Sequence, residues 1–391
     1  MNMIKPASKN SRYRLCLIFA LILFAFFTLL ATSACSDDEL EESLEQETSD
    51  SESGDTQTPE DELMPEESTP EPTEEPEIDR GPFNPLTGEP TEEDISQNRP
   101  IAVVLSNLQQ ALPQNGPSQA SIIFEMIAEG DISRMLALYQ DYSDVGTLGS
   151  VRSARHYSAQ IAAGYDAILI ASGASPLADI QIRELGITYL TETQRNANII
   201  TRDPHRISGR VVGHVHSVVT NGKWLTQYLP DLDIRLTHDG DYKQTLVFTD
   251  EATPGGGVMA SEVVVRFIAG NNSSFVFNRE ENVYYMSQSQ SGDFIDANNG
   301  EQVSFSNLIV IKTQVSTLGG PHGGYGRQDV VTTGSGDGYF VHGGRAIEIL
   351  WSREDFSSPY VFTLRDGTIL ELGRGKTYIG IVSDDMEVTF R

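Results

Sequence analysis

The chain contains only two cysteines, and their positions limit what can stabilise its fold. Cys16 lies inside an apolar run at residues 15–30, and Cys35 follows the small residues 31–34. A basic start, an apolar run and a short stretch of small residues ending in cysteine form the order of an export signal with a lipidation site. Loss of the signal would leave Cys35 as the single cysteine. The exported chain would then have no disulfide and must fold by burying apolar surface.

The start of the chain predicts a cleaved signal peptide at residues 1–34 and a lipidated Cys35. Four basic residues and no acidic residue precede Asp37, which favours retention of the N-terminus on the cytoplasmic side. The alternative is an uncleaved membrane anchor, because residues 15–35 number 21 and about 20 suffice to cross a bilayer. Both interpretations predict a protein held at the cell membrane, with the rest of the chain on the extracytoplasmic face.

An acidic segment follows the cysteine. Residues 36–79 contain 20 Asp and Glu and no Lys or Arg, interleaved with Ser, Thr and Pro. Such a segment buries too little apolar surface to offset its chain entropy, so residues 35–80 are predicted to be a disordered linker, either a spacer or a plain connection. Of the net charge of −29, the signal carries +4 and the linker −20, which leaves −13 for residues 80–391. An acidic body argues against nucleic acid as a partner.

The rest of the chain predicts an α+β protein with two domains. Strand-like apolar runs alternate with helix-like segments in residues 81–240, which indicates a layered α/β domain. Residues 241–391 show short β-type runs separated by turn formers, which indicates a mainly antiparallel β domain. The predicted elements of the first domain are strands at 100–105, 121–127, 134–139 and 166–171 and helices at 153–164 and 176–185. The predicted strands of the second domain are 245–249, 262–268, 274–277, 283–286, 308–312, 338–342, 347–351, 360–364, 368–370 and 377–381.

Residues 149–156 (G-S-V-R-S-A-R-H) are the sharpest cluster of chemistry-bearing side chains. If the helix begins near Ser153, its first free amide groups lie beside Arg152 and Arg155, which are three positions apart and share a face. Helix amides and two guanidinium groups predict a site for phosphate or carboxylate.

The alternative interpretation of this cluster is structural. In it, Ser150 or Ser153 caps the helix, and the arginines pair with Glu125, Glu129 or Asp131. The two glutamates could also perform acid and base chemistry or hold a divalent cation, although exposed or arginine-paired carboxylates are more common.

His214 and His216 form an H-x-H pattern that would point both rings to one face of a strand. A metal site needs a third ligand, and none stands nearby in the sequence. We therefore predict no metal and no cofactor.

Several segments, taken in order, resemble the YerB-like lipoproteins, a bacterial family with a two-part domain of unknown function. The resemblance covers nearly all of residues 84–385 and implies a two-part, membrane-anchored protein. Because the family has no established activity, the resemblance implies no catalytic mechanism. The segments that carry it are 98–103 (N-R-P-I-A-V), 120–139, 148–155 (similar to the family's G-P-V-R-S-A-R), 172–176, 300–302 and 373–379.

The sequence departs from the family pattern at functional candidates. Ser150 stands where the family usually has Pro, and Asp131 and Ala174 stand where it often has Gly. Residues 213–220 resemble the family's A-P-H-N-L-Y-T block only at His216 and Thr220, which favours His216 over His214.

The first functional hypothesis is a lipid-anchored envelope protein that binds an anionic ligand or a protein partner. In it, Arg152 and Arg155 position the anion, Ser153 and the helix amides donate hydrogen bonds to it, and Glu125 and His216 line the site.

The alternative hypothesis is an enzyme that acts on phosphate-linked envelope polymers or lipid-pyrophosphate substrates. An arginine pair could stabilise the transferring group, with Glu125 or Glu129 as the base. A purely structural scaffold would be the outcome if no cleft exists.

Overall fold

Apolar runs that turn formers separate in the sequence become the strands of a long main sheet and of smaller sheets in the computed structural model. The structure describes residues 81–252 and 254–391. The predicted signal peptide at 1–34, Cys35 and the predicted linker at 35–80 lie outside the described residues. Strands outnumber helices, and the predicted α+β class is confirmed.

The elements are numbered in chain order. The helices are α1 (His156–Gly164), α2 (Pro176–Glu184) and α3 (Gly222–Tyr228). The strands before residue 240 are β1 (Ile101–Ser106), β2 (Ile122–Glu129), β3 (Ile132–Tyr139), β4 (Thr147–Gly149), β5 (Ile168–Ile170), β6 (Tyr189–Leu190), β7 (Thr201–Arg202) and β8 (Val218–Asn221). The strands after it are β9 (Val247–Thr249), β10 (Val258–Met259), β11 (Glu262–Ile268), β12 (Asn271–Asn278), β13 (Val283–Gln288), β14 (Gly292–Asp293), β15 (Ser304–Phe305), β16 (Asn307–Thr313), β17 (Val315–Thr317), β18 (Gln328–Val330), β19 (Gly334–His342), β20 (Arg345–Arg353), β21 (Val361–Thr363), β22 (Glu371–Gly373), β23 (Thr377–Ser383) and β24 (Val388–Phe390).

The main sheet has the order β10-β20-β19-β16-β23-β2-β3-β1-β5-β6, with β21 beside β20. Strands from residues 81–240 and strands from residues 241–391 meet in this sheet where β2 pairs with β23. The pairing is parallel, from Ile122 opposite Thr377 to Met126 opposite Ile381. Strand β1 is buried along its whole length, as expected of a strand covered on both faces.

A second sheet covers one face of the first. Its order is β14-β13-β12-β11-β24, with β15 beside β13. Phe275 of β12 packs against Tyr378 of β23, with 4.6 Å between ring centroids. Helix α1 contacts the main sheet at β2, where the hydroxyl of Tyr157 donates a hydrogen bond to the carbonyl of Ile127. The core therefore contains side chains from both parts of the chain.

Helix α1 begins three residues later than the sequence predicts. Residues 152 and 154 are still extended, because their amide groups donate to the carbonyls of Val104 and Gly173 in neighbouring segments. The helix ends at Gly164 as predicted. Helix α2 begins at Pro176 as predicted, with the hydroxyl of Ser175 accepting from the amide of Ala178.

The predicted strand at 368–370 is reduced to a single antiparallel bridge, between Ile369 and Thr363 of β21. Residues 364–368 form a turn, closed by the amide of Leu364 on the carbonyl of Thr368, and the strand β22 begins only at Glu371.

The predicted boundary between residues 240 and 241 falls between two parts of one main sheet. The described residues, 81–252 and 254–391, belong to one compact unit. Whether residues 81–240 and 241–391 fold independently stays a prediction. Within the described residues, no helix is both long and apolar enough to cross a membrane.

Candidate anion-binding site

A bulge in β2 separates the two candidate carboxylates. In the β2–β3 ladder, Ile127 lies opposite Ser133 and Glu129 opposite Ile132, so Ala128 is an extra residue. Because side chains alternate along a strand, the extra residue moves Glu129 to the face opposite that of Glu125. The two glutamates therefore have different neighbours.

Glu125 is fully buried between the two sheets. One of its carboxylate oxygens accepts hydrogen bonds from Asn107 (2.9 Å) and Ser133 (2.6 Å), and the other accepts from Ser273 (2.7 Å) and Tyr378 (2.9 Å). Burial raises the pKa of Glu125, and these four donors offset only part of the effect. The structure does not bring Glu125 together with the candidate arginines.

Glu129 holds two arginines. Arg155 donates to both carboxylate oxygens of Glu129 at 2.6 to 3.0 Å, and Arg134 donates to one of them at 3.0 Å. Burial alone would raise the pKa of Glu129, but the charges of Arg134 and Arg155 outweigh burial and hold it below its ordinary value. The structural alternative, in which an arginine pairs with Glu129, therefore describes Arg155.

Arg134 is the more deeply buried of these two arginines, and it was not among the candidates predicted from the sequence. Burial, assisted by the charge of Arg155, lowers the pKa of Arg134 to about 10. Its second terminal nitrogen donates to the carbonyl of Ser153 at 2.7 Å. The hydroxyl of Ser153 donates to the carbonyl of Ser172 (2.8 Å), so Ser153 does not cap α1; Arg155 occupies the N-cap position and its side chain forms no capping bond.

The side chain of Arg152 contacts the segment that carries His214 and His216. Its terminal nitrogen donates to the carbonyl of Val215 at 2.8 Å, and its Nε is buried without a hydrogen-bond partner. The segment His214–His216 is a turn of 3-10 helix, so the predicted strand geometry with both rings on one face is wrong. Among the described residues, no group of three His, Cys, Asp or Glu is arranged to hold a metal ion.

His216 is 9% exposed, and its Nδ1 has no hydrogen-bond partner. Its pKa is lowered, first by burial and then by the positive charges of Arg152, Arg206 and Arg210. These three charges therefore lie close enough to the imidazole to disfavour its protonation. We call Arg152, His216, Arg206 and Arg210 the basic cluster.

Arg206 and Arg210 were not among the sequence candidates. Arg206 donates to the carbonyls of His216 (2.8 Å), Pro113 (3.0 Å) and Ala111 and to the side chain of Asn115 (2.8 Å). Arg210 donates to two further carbonyls, those of Gln110 (3.1 Å) and Leu112 (2.6 Å). Burial and the charge of Arg210 lower the pKa of Arg206 to about 10, although Asp203 acts in the opposite direction.

The arginines of the basic cluster share an unusual set of partners. Within the described part of the chain, no Asp or Glu forms an ion pair with Arg152, Arg206 or Arg210; their donors reach carbonyl and amide oxygens instead. Carbonyl groups satisfy N–H donors but leave the net charge in place. Arg206 is buried and its nitrogens already donate, so an anion can approach only Arg152 and Arg210 of these three without first breaking an ion pair. The charge of Glu129 also acts on Arg152. The sequence feature that could have indicated the basic cluster is the high density of Arg and His in residues 201–216.

Comparison with known proteins gives two matches to one family. Residues 86–235 match "Protein of unknown function (DUF3048) N-terminal domain", and residues 263–379 match the DUF3048 C-terminal domain. Together these two matches cover more than half of the chain. The chain belongs to this YerB-like family.

The relatives agree with this assignment. The chain is 28% identical over 302 residues to the Bacillus subtilis protein named "Putative lipoprotein YerB", which covers 77% of this chain and 86% of that protein. The crystal structure of YerB from Bacillus subtilis gives a TM-score of 0.64 at 25% identity, with 78% of this chain and 99% of that chain covered. The resemblance seen in the sequence is confirmed.

The two YerB-like regions contribute differently to the candidate residues. The whole basic cluster, Glu129 and Arg155 lie in the N-terminal family region. Glu125 belongs to the same region but is held by Ser273 and Tyr378 of the C-terminal region. The residues of the basic cluster therefore all come from the N-terminal family region, whereas Glu125 forms hydrogen bonds that connect the N-terminal and C-terminal family regions.

Proposed function

We propose that this protein is an extracytoplasmic lipoprotein that binds an anionic group, a phosphate or a carboxylate, at the basic cluster. The observation that carries the proposal is the concentration of three arginines without an ion-paired carboxylate in a body whose net charge is −13. Guanidinium groups in a partly buried setting bind oxyanions through charge-assisted hydrogen bonds. Arg152 supplies a buried Nε without a partner, and His216 supplies an imidazole nitrogen without one.

Two observations support the anchor. The first is the order of the N-terminal sequence, which ends in Cys35, and the second is the similarity to a relative named as a lipoprotein. Mass spectrometry of the mature protein should find residues 1–34 missing and a lipid mass on Cys35. An intact N-terminus would reject lipidation in favour of an uncleaved anchor.

Isothermal titration calorimetry with inorganic pyrophosphate tests the site. Arg152→Ala should weaken pyrophosphate binding by about tenfold or more, because it removes a charge-assisted donor. Arg365→Ala is the matched control, since Arg365 is an exposed arginine outside the basic cluster that pairs with Asp337 and Glu348. Unchanged binding in Arg152→Ala, with an unchanged melting temperature, would reject the basic cluster as the site.

The structure offers the enzyme hypothesis less support. Glu129 accepts from Arg134 and Arg155, which favour its ionised form but occupy its oxygens. Glu125 is enclosed by four donors on the opposite face of β2. A general base must reach the proton that it removes, and neither carboxylate is free to do so in this arrangement. Binding is therefore the function that we propose.

A further inference from the structure

Residues 201–216 (T-R-D-P-H-R-I-S-G-R-V-V-G-H-V-H) carry three members of the basic cluster, His216, Arg206 and Arg210, together with exposed apolar side chains. The segment has three Arg, one Asp and no Lys or Glu, which gives +2 before its three histidines are counted. Arg202 pairs with Glu192 outside the segment, so Arg206 and Arg210 carry the positive charge that no ion pair offsets. The histidines are three of the seven in the chain. The surface of this segment therefore opposes the charge of the acidic body that carries it.

Two valines of the segment project into solvent. Val211 is 67% exposed and Val215 is 54% exposed. Their neighbours Ile207 and Val212 are buried, so the segment is anchored by one set of apolar side chains while another set stays outside. Exposed apolar side chains beside basic ones form the pattern of surfaces that bind membrane interfaces.

Hydrogen bonds fix the shape of the segment. Two arginines donate hydrogen bonds to backbone carbonyls of the segment: Arg152 to that of Val215 and Arg202 to that of His214 (2.6 Å). A third, Arg210, donates to the carbonyl of Leu112 in a neighbouring loop. The amide of Val212 donates to the carbonyl of Pro204 (2.9 Å). The two valines and the guanidinium groups are thus presented together without a folding step at binding.

We infer that residues 201–216 dock on the anionic surface of the membrane that holds the protein's own lipid anchor. Arg152 and Arg210 bind lipid phosphates, and Val211 and Val215 insert at the boundary between headgroups and acyl chains. This inference rests on the proposed function, because it names the lipid phosphodiester as the anion bound by the basic cluster.

Charge and chain length both favour this partner. The predicted linker carries −20 and the body −13, so an anionic surface repels most of the exported chain and attracts the 201–216 segment. The 45 residues between Cys35 and Gly81 limit the distance between lipid and body to about 160 Å even if fully extended. A tethered body meets the membrane repeatedly, so weak docking suffices to orient it.

Vesicle co-sedimentation tests the inference with the exported chain, residues 36–391, prepared without its lipid. Vesicles of phosphatidylcholine with phosphatidylglycerol should bind at least about fivefold more protein than vesicles of phosphatidylcholine alone, and the difference should fall as salt is added. Equal binding to both vesicles, or binding to neither, would overturn the inference.

Serine variants of the exposed valines test the apolar part of the surface separately from its basic part. Val211→Ser with Val215→Ser should weaken binding to anionic vesicles by about tenfold, because apolar area is lost without a change of charge. Val276→Ser is the matched control: Val276 is 56% exposed on β12 of the second sheet, and its replacement should leave vesicle binding unchanged. An equal loss in the control and in the double variant would contradict docking through residues 201–216.

Pyrophosphate binding distinguishes failure of this inference from failure of the proposed function. The double valine variant should bind inorganic pyrophosphate as the unaltered chain does, whereas Arg152→Ala should lose affinity for both pyrophosphate and anionic vesicles. Pyrophosphate binding without vesicle binding would overturn membrane docking and leave the anion site in place. Absence of both would reject the site itself.

Discussion

Glu125 and Glu129 are four residues apart on one strand and are stabilised in opposite ways. Neutral donors surround Glu125, and burial raises its pKa; two arginines hold Glu129, and its pKa is lowered. A buried carboxylate costs free energy when it is ionised without a charged partner, whereas an arginine-paired carboxylate is stable as an anion. Glu125 therefore makes the stability of the fold depend on pH.

Glu125→Gln should remove that dependence. Since the pKa of Glu125 is higher in the folded state than in the unfolded chain, its contribution to stability is fully present below its unfolded pKa of about 4.5 and is lost as the pH rises through the folded value. Urea unfolding measures the free energy of unfolding of both proteins from pH 5 to pH 8. Over this range the free energy of unfolding of the variant should rise relative to that of the unaltered protein by at most about 1.4 kcal/mol per pH unit.

The control for this experiment is Glu280→Gln, which changes an exposed carboxylate in the turn between β12 and β13. It should follow the unaltered protein at every pH. Parallel stability profiles for Glu125→Gln and the unaltered protein would contradict the account of Glu125.

Elements show which parts of the fold the sequence could predict. The apolar runs at 100–105, 121–127 and 262–268 became β1, β2 and β11 to within two residues at each end, because buried strands leave a strong local pattern. The Ser175–Pro176 start of α2 was also readable, since a capping hydroxyl and a first-turn proline act locally.

Other features depend on contacts that are distant in the sequence. The start of α1 moved to His156 because the preceding backbone pairs with Val104 and Gly173. The bulge at Ala128, which sends Glu129 away from Glu125, is visible only in the register of β2 against β3. Arg206 escaped notice because its partners, such as Asn115, lie 91 positions away. Local periodicity carries no information about such pairings.

At the scale of the whole molecule, the main sheet joins the two parts of the chain. Strand β2 pairs with β23, and Glu125 of β2 receives hydrogen bonds from Ser273 and Tyr378 of the second part. Residues 81–240 alone would leave β2 as a long apolar edge strand, which is prone to aggregate.

Residues 81–240 and 241–391 should therefore fold poorly as separate chains and recover structure when they are produced together. Circular dichroism and urea unfolding of each piece and of the mixture provide the measurement. A separate 81–240 chain that unfolds cooperatively and stays soluble would contradict the structural argument and support the domain division predicted from the sequence.

The most direct test of the central claim, that the basic cluster binds an anion, is an NMR titration of the His216 ring with and without inorganic pyrophosphate. Burial and three arginines lower the pKa of His216 in the free protein, so an anion bound among those arginines should raise it by offsetting their charge. The rise should disappear in Arg152→Ala and persist in Arg365→Ala. A His216 pKa that does not move at saturating pyrophosphate would contradict the account.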